Sequence, residues 1–153
     1  MPKHSEKDLI ILNHLRKNSR KSLAVISRET GIPVSTIFDK IAKLERGIIK
    51  KYTTLVDFSK IGYNLRINFM IKSSDNNKNA LKGFLESNPH VNTLLRINNG
   101  YDFYAEMVFK EMSELENFKE NLQKMGIKET QEHCIIEDVK KEEFLARDEE
   151  LLE

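Results

Sequence analysis

From residue 9 to residue 49 the apolar positions recur every three or four residues; from residue 65 they alternate with polar ones. The first period predicts three helices. One spans Ser5 to Asn18, opened by Ser5 and Asp8 as a capping box with Asp in place of the usual Glu or Gln, and striped by Leu9, Ile11, Leu12 and Leu15. A second runs from Ser22, a good N-cap, to Thr30, with Gly31 placed to close it in the left-handed conformation. After Pro33 comes a third helix, with Val34, Ile37, Ile41 and Leu44 on one apolar stripe. Its opposite side carries Ser35, Thr36, Asp39, Lys43 and Arg46, with Lys40 on the flank. A helix, a tight turn and a second helix with a polar, basic outer face is the layout of a helix-turn-helix DNA reader. Ile48 to Val56 then reads as extended, and two short strands here would form a wing bearing Lys50 and Lys51.

Asp57 to Gly62 reads as a hinge. Beyond it Leu65, Ile67, Phe69 and Ile71 alternate with Arg66, Asn68, Met70 and Lys72 as a strand. A helix follows from Asn76 to Ser87, then strands Val91 to Ile97 and Tyr101 to Phe109 joined through Asn98-Asn99-Gly100. Ser113-x-x-Glu116 reads as a capping box for a helix ending at Gly126, and Lys128 to Val139 as the last strand. Strand, helix, strand, strand, helix, strand is the ferredoxin-like order, with both helices on one face of the sheet. The fold class is therefore α+β. Residues 1–56 form a winged helix-turn-helix domain, 57–63 a hinge, 64–139 a ferredoxin-like dimerisation and effector domain, and 140–153 a tail. The uncovered sheet face would show Met70, Leu94, Tyr104, Val108, Cys134 and Ile136 among Arg66, Asn68, Arg96 and Glu106, either as a sheet-to-sheet dimer surface or as a merely amphipathic sheet. The tail, with Phe144, Leu145, Leu151 and Leu152 among acids, reads as a short helix docking on a neighbouring subunit, or as a fraying end.

Charge changes the picture of the third helix. The whole chain is nearly neutral at +1, but residues 1–62 hold 13 Lys and Arg against 6 Asp and Glu, a net +7 that leaves −6 for the remainder. A basic half joined to an acidic half points to nucleic-acid binding by the first. The candidate DNA contacts are Arg20, Lys21, Ser22, Ser35, Thr36, Asp39, Lys40, Lys43, Arg46, Lys50 and Lys51. Hydroxyls can bond bases or phosphates, and cations can neutralise phosphates or reach guanine. Asp39 is the exception: it either accepts from a cytosine amino group or pairs with Lys43 four residues on. The modest total charge argues against a nonspecific architectural compactor, the alternative DNA-binding function.

No apolar run approaches the roughly 20 residues of a membrane span, and the N-terminal residues lack a signal-peptide core, so a cytoplasmic protein without membrane contact is expected. The single cysteine, Cys134, excludes an intrachain disulfide and a zinc site of cysteine pairs, and reads as a small buried strand residue. No nucleophile-base pair, metal-ligand spacing or phosphate-cradling loop stands out, so neither an enzyme nor a cofactor is expected.

The chain resembles the Lrp/AsnC, or feast/famine, family of transcriptional regulators along nearly its whole length. The residues that carry the likeness are Asp8, Ile11-Leu12, Leu15 and Arg20; then Gly31-Ile32-Pro33-Val34-Ser35-Thr36-Ile37; then Ile41, Leu44-Glu45, Gly47-Ile48-Ile49, Tyr52-Thr53 and Tyr101-Asp102. The resemblance implies a regulator of double-stranded DNA that dimerises through its sheet domain, often assembles into tetramers or octamers, and binds an effector, commonly an amino acid, between sheet domains. Asn98, Asn99, Gly100, Tyr101 and Asp102 are the effector-binding candidates, offering backbone amides and a carboxylate to an amino acid's charged ends, against simple hairpin-turn chemistry. Three departures stand out: Pro33 where the family has a polar N-cap, one residue fewer before Gly47, and Asn99 in the place of the family's hairpin glycine. Siroheme decarboxylases resemble the same two-domain architecture; such chemistry would call on His90, His133, Arg66 and Arg96 gathered around a tetrapyrrole.

Overall fold

The computed structural model describes residues 4–146. The chain forms two compact units: one runs up to Leu55 and is rejoined by the segment from Val139, and the other is Val56–Asp138.

The first unit contains α1 (Glu6–Lys17), α2 (Leu23–Thr30) and α3 (Val34–Glu45). The expected capping box opens α1: the Ser5 amide donates to Asp8 Oδ2 at 2.8 Å and the Asp8 amide to Ser5 Oγ at 3.3 Å. Ser22 caps α2 by accepting from the Val25 amide, and Gly31 closes it at φ 72°, a backbone that a side chain would strain. Pro33 is the N-cap residue of α3 with no side-chain cap bond, leaving amides of the first turn unpaired within the helix. Ile11, Ile26, Ile32, Ile37 and Leu44 form the core, with Leu12, Leu15, Ile41 and Ile49 packed around it. Val34, expected on the buried stripe, is exposed instead. The position at the very start of α3 lies beyond the reach of α1 and α2.

Two expectations about this unit are corrected. Residues 50–57 contain no strand: the Ile48 and Ile49 amides bond back to the Leu44 carbonyl at 2.7 and 2.9 Å, and the chain then runs extended without a partner strand. The β-forming residues are there, but no second run lies beside them to complete a ladder. Nor do the described residues of the tail form a helix or hang free. Residues 140–146 cross α1 as a strap: Arg16 donates to Glu142 Oε2 and to the Glu142 and Phe144 carbonyls at 2.9–3.0 Å, and Asn13 Nδ2 donates to the Leu145 carbonyl at 3.0 Å. Leu151 and Leu152 lie outside the described residues.

The second unit opens with a short 3-10 turn (Phe58–Ile61) and continues as β1 (Leu65–Ser73), α4 (Lys78–Ser87), β2 (Val91–Arg96), β3 (Phe103–Phe109), α5 (Met112–Gln123) and β4 (Ile127–Cys134). The antiparallel sheet has the order β2-β3-β1-β4, the ferredoxin-like arrangement predicted. Ile67, Phe69, Ile71, Phe103, Ala105, Met107 and Phe109 meet Leu81 and Leu85 of α4 and Leu115, Phe118 and Leu122 of α5. Phe69 and Phe118 touch edge to face with ring centroids 5.2 Å apart. Gly126 ends the turn after α5 at φ 71°, and the Asn77 amide occupies the space a Cβ would need.

The uncovered face differs from the expected one in four positions. A register shift between Val91 and Thr93 changes the parity of β2, so Leu94 sits opposite Ala105 and packs into the core while Leu95 faces outward. Arg96 likewise pairs with Phe103 rather than with the open-face row. Cys134 stands opposite Ile67, on the helix side, yet is exposed because β4 is an edge strand; Ile136 lies beyond the strand. The open face therefore carries Arg66, Asn68, Met70, Tyr104, Glu106 and Val108, joined by Thr93, Leu95, Gln131 and His133. The sequence capping box of α5 is also corrected: Glu111 is the N-cap residue, and Glu114 Oε2 accepts from the Lys110 amide at 2.7 Å, two residues before Ser113 and Glu116 could act.

Candidate nucleic-acid interface

A helix that reads DNA needs one face anchored and the other free. In α3, Ile37 and Leu44 are buried and Ile41 packs beside them, which turns Ser35, Asp39, Lys43 and Arg46 outward, all exposed. Thr36 is half-buried on one flank. Asp39 makes no bridge to Lys43 among the described residues, so its carboxylate remains open to accept. Arg46 donates from Nε to the Ala42 carbonyl of its own helix at 3.2 Å. Arg20, Lys50 and Lys51 are exposed at the ends of the helix-turn-helix segment.

Three of the predicted contacts are engaged inside the unit. Lys40 Nζ bonds Asp8 Oδ1 at 2.6 Å and Ser5 Oγ at 2.9 Å, tying α3 to the start of α1. Those bonds, with help from the Ser5 amide and hydroxyl, outweigh the effect of burial and hold the Asp8 carboxyl at about 2, against an ordinary 3.8. Lys21 pairs with Glu29 and lies 3.1 Å from His14 Nδ1, closing α1 against α2. Ser22 is the cap of α2. Beside them, Tyr52 donates to Glu45 Oε1 at 2.9 Å, fastening the extended segment to the end of α3; burial first, and then the Glu45 carboxylate, raise the Tyr52 pKa and keep it the donor.

The residue that the sequence pattern left unassigned is Phe38, 63% exposed. At 100° per residue it stands well round from the core stripe of Ile37 and Leu44, and a helical wheel shows this without any coordinates.

The family model for winged helix-turn-helix DNA-binding domains matches residues 4–50, the stretch that holds α1, α2 and α3. The HTH-type transcriptional regulator FL11 of Pyrococcus horikoshii is 30% identical over 114 residues, covering 74% of this chain and 76% of its own. The chain belongs to the Lrp/AsnC family of transcriptional regulators. Solved structures of this family share its fold: Bacillus subtilis LrpC superposes with a TM-score of 0.80 at 22% identity, covering 92% of this chain and 99% of its own. A transcriptional regulator of Neisseria meningitidis, solved as a complex with L-Met, superposes with a TM-score of 0.81 at 17% identity, covering 91% and 94%. As an Lrp/AsnC member the chain is a DNA-binding transcription regulator. No described helix is long and apolar enough to cross a membrane.

The loop in which this Lrp/AsnC chain departs from the family pattern connects β2 to β3. Asn99 at φ 65° and Gly100 at φ 100° make the turn left-handed at both residues, so Asn99 takes the backbone that glycine would. Asp102 is fully engaged: Oδ2 accepts from the Ser73 amide and hydroxyl at 3.0 and 2.9 Å, and Oδ1 from Lys78 Nζ at 2.6 Å. Burial pushes its carboxyl up, but Lys78 and the Ser73 bonds outweigh that and leave it below the ordinary value. Tyr101 donates to Glu129 Oε1 at 2.6 Å, while Asn98, Asn99 and Gly100 are exposed. The four tetrapyrrole candidates are not gathered. His90 stacks on Phe109 at one end of β3 and Arg96 pairs at its other end, while Arg66, bridged to Asp138 and Glu106, lies diagonal to His133 of β4 on the open face.

Proposed function

We propose that this regulator binds double-stranded DNA sequence-specifically as a dimer or larger assembly, with the outward face of α3 in a major groove. The observation that carries this is the arrangement of α3: Ile37 and Leu44 fix the helix, and Ser35, Asp39, Lys43 and Arg46 point away from the core. Arg20, Lys50 and Lys51 flank it as phosphate contacts. Lys21, Ser22 and Lys40 serve the reader by holding its helices rather than by touching DNA. Two copies joined through the open sheet face would present two such helices to half-sites about one helical turn, or a multiple, apart. That face supports the pairing because it carries Met70, Tyr104 and the exposed Leu95 among its polar residues.

The test compares Lys43→Ala and Arg46→Ala with the wild type on a selected duplex across salt concentrations. A residue on a base costs about 1–3 kcal/mol of discrimination at one position; a residue on phosphate weakens all sequences and lowers the salt slope by about one. Unchanged affinity and slope in both variants would show that α3 is not the reader. Effector sensing, if placed at the β2–β3 loop, rests on Asn98, Asn99, Gly100 and Tyr101, since the Asp102 oxygens are already bonded within the sheet unit. An L-Met complex of a protein with the same fold favours including amino acids as the ligands to test.

A further inference from the structure

The outward face of α3 is not uniformly polar. Phe38 is 63% exposed near its middle, and Val34, one turn earlier on the same side, is 45% exposed. One turn on, the same side carries the half-buried Ala42, and Glu45 beyond it is turned toward Tyr52. Among the described residues no ring stacks on Phe38 and no cation caps it. Phe38 thus projects one turn from the exposed Ser35, at the edge of a face whose cations suit a polyanion.

In the major groove, base edges offer hydrogen-bonding groups and one apolar group, the C5-methyl of thymine. We infer that Phe38 is a specificity-determining residue that packs on a thymine methyl in each half-site. This assignment rests on the proposed docking of α3. A phenyl ring left in water on a groove-facing helix gains from displacing water against that methyl, whereas against cytosine or a bare pyrimidine edge it gains less. The polar neighbours set orientation and phosphate attraction, and Phe38 sets a preference they cannot supply.

The full chain is titrated onto a duplex obtained by selection from random sequence, and each thymine is replaced singly by deoxyuridine, a change that removes the methyl alone. Wild-type affinity is expected to fall about fourfold at one or two positions per half-site, the worth of one buried methyl. Phe38→Ala should bind the thymine and deoxyuridine duplexes equally at those positions and keep the wild-type salt slope, because phosphate contacts are untouched. Phe38→Leu should retain part of the discrimination. Wild-type insensitivity at every thymine, or full discrimination in Phe38→Ala, would overturn the assignment. So would a change in the sedimentation of free Phe38→Ala, which would make Phe38 a subunit contact. Loss of all duplex binding by the wild type brings down the docking of α3 as well; binding without methyl sensitivity removes the role of Phe38 alone.

Discussion

The two units solve the same problem with different materials. The sheet unit buries twelve residues in its core, four of them phenylalanines, and adds ion pairs such as Lys78–Asp102 and Lys119–Glu132 between helix and sheet at its rim. The helical unit buries five aliphatic residues among those described and closes its edges with charge and caps: the Ser5–Asp8 box, Lys40 on Asp8, Lys21 on Glu29, and the Arg16 clamp on the strap. A small core leaves each peripheral bond a larger share of the stability. The basic residues of the helical unit are consequently of two kinds, those that hold it together and those left outward for a ligand, and charge counting alone merges them.

The largest test breaks each core separately. Phe69→Ala should cost the sheet unit about 3–5 kcal/mol and Ile37→Ala the helical unit about 2–5 kcal/mol. Hydrogen exchange should show lost protection in β1 and β3 for the first and in α1 to α3 for the second; equal loss everywhere in both variants would mean that the units do not unfold separately and would end the comparison.

The next test concerns charge. Asp8→Asn should destabilise the helical unit by about 1.5–3 kcal/mol at neutral pH, since it removes a charge-assisted bond from Lys40. The folded carboxyl at about 2 lies below its ordinary 3.8, so its contribution is complete above about pH 4 and fades as pH falls toward 2. Urea melts of the wild type and the variant should therefore converge over that window; a constant gap down to pH 2 would show that the ion pair is not the source. The smallest effect is expected from Ser22→Ala, about 1 kcal/mol confined to the helical unit, because one amide of α2 loses its acceptor. A thermal melt unchanged within a few tenths of a kcal/mol would count against a structural role for that hydroxyl.

Much of this was legible in the residues. The change from a period near four to a period of two separates the helices from the strands, and Ser5, Ser22 and Gly31 mark helix ends where the structure places them. What was not legible depended on parity and on partners. A single bulge in β2 moves Leu94 from one face to the other, and no local signal in Val91-Asn92-Thr93 announces it. The capping motif at Ser113 lost to Glu111 and Glu114, which stand two residues earlier, where Glu114 accepts from the Lys110 amide. Spacing placed Ser35, Asp39, Lys43 and Arg46 on the outward face of α3, but it could not say that Lys21 and Lys40 would find carboxylates at 29 and 8. Ion pairs between helices are set by packing, which periodicity does not describe. The exposure of Phe38, by contrast, follows from its angle on the helix, about 100° from Ile37.

The strap over α1 bears on the order of synthesis. Asn13 and Arg16 emerge from the ribosome early, but the carbonyls they bind, at Glu142, Phe144 and Leu145, emerge only after every strand of the sheet unit. The helical unit is therefore started first and closed last, with the sheet unit made in between. A nascent chain halted before residue 139 would carry α1, α2 and α3 with the Arg16 clamp still open. Chains cut before residue 139 should then show less hydrogen-exchange protection in α1 than chains that carry the strap.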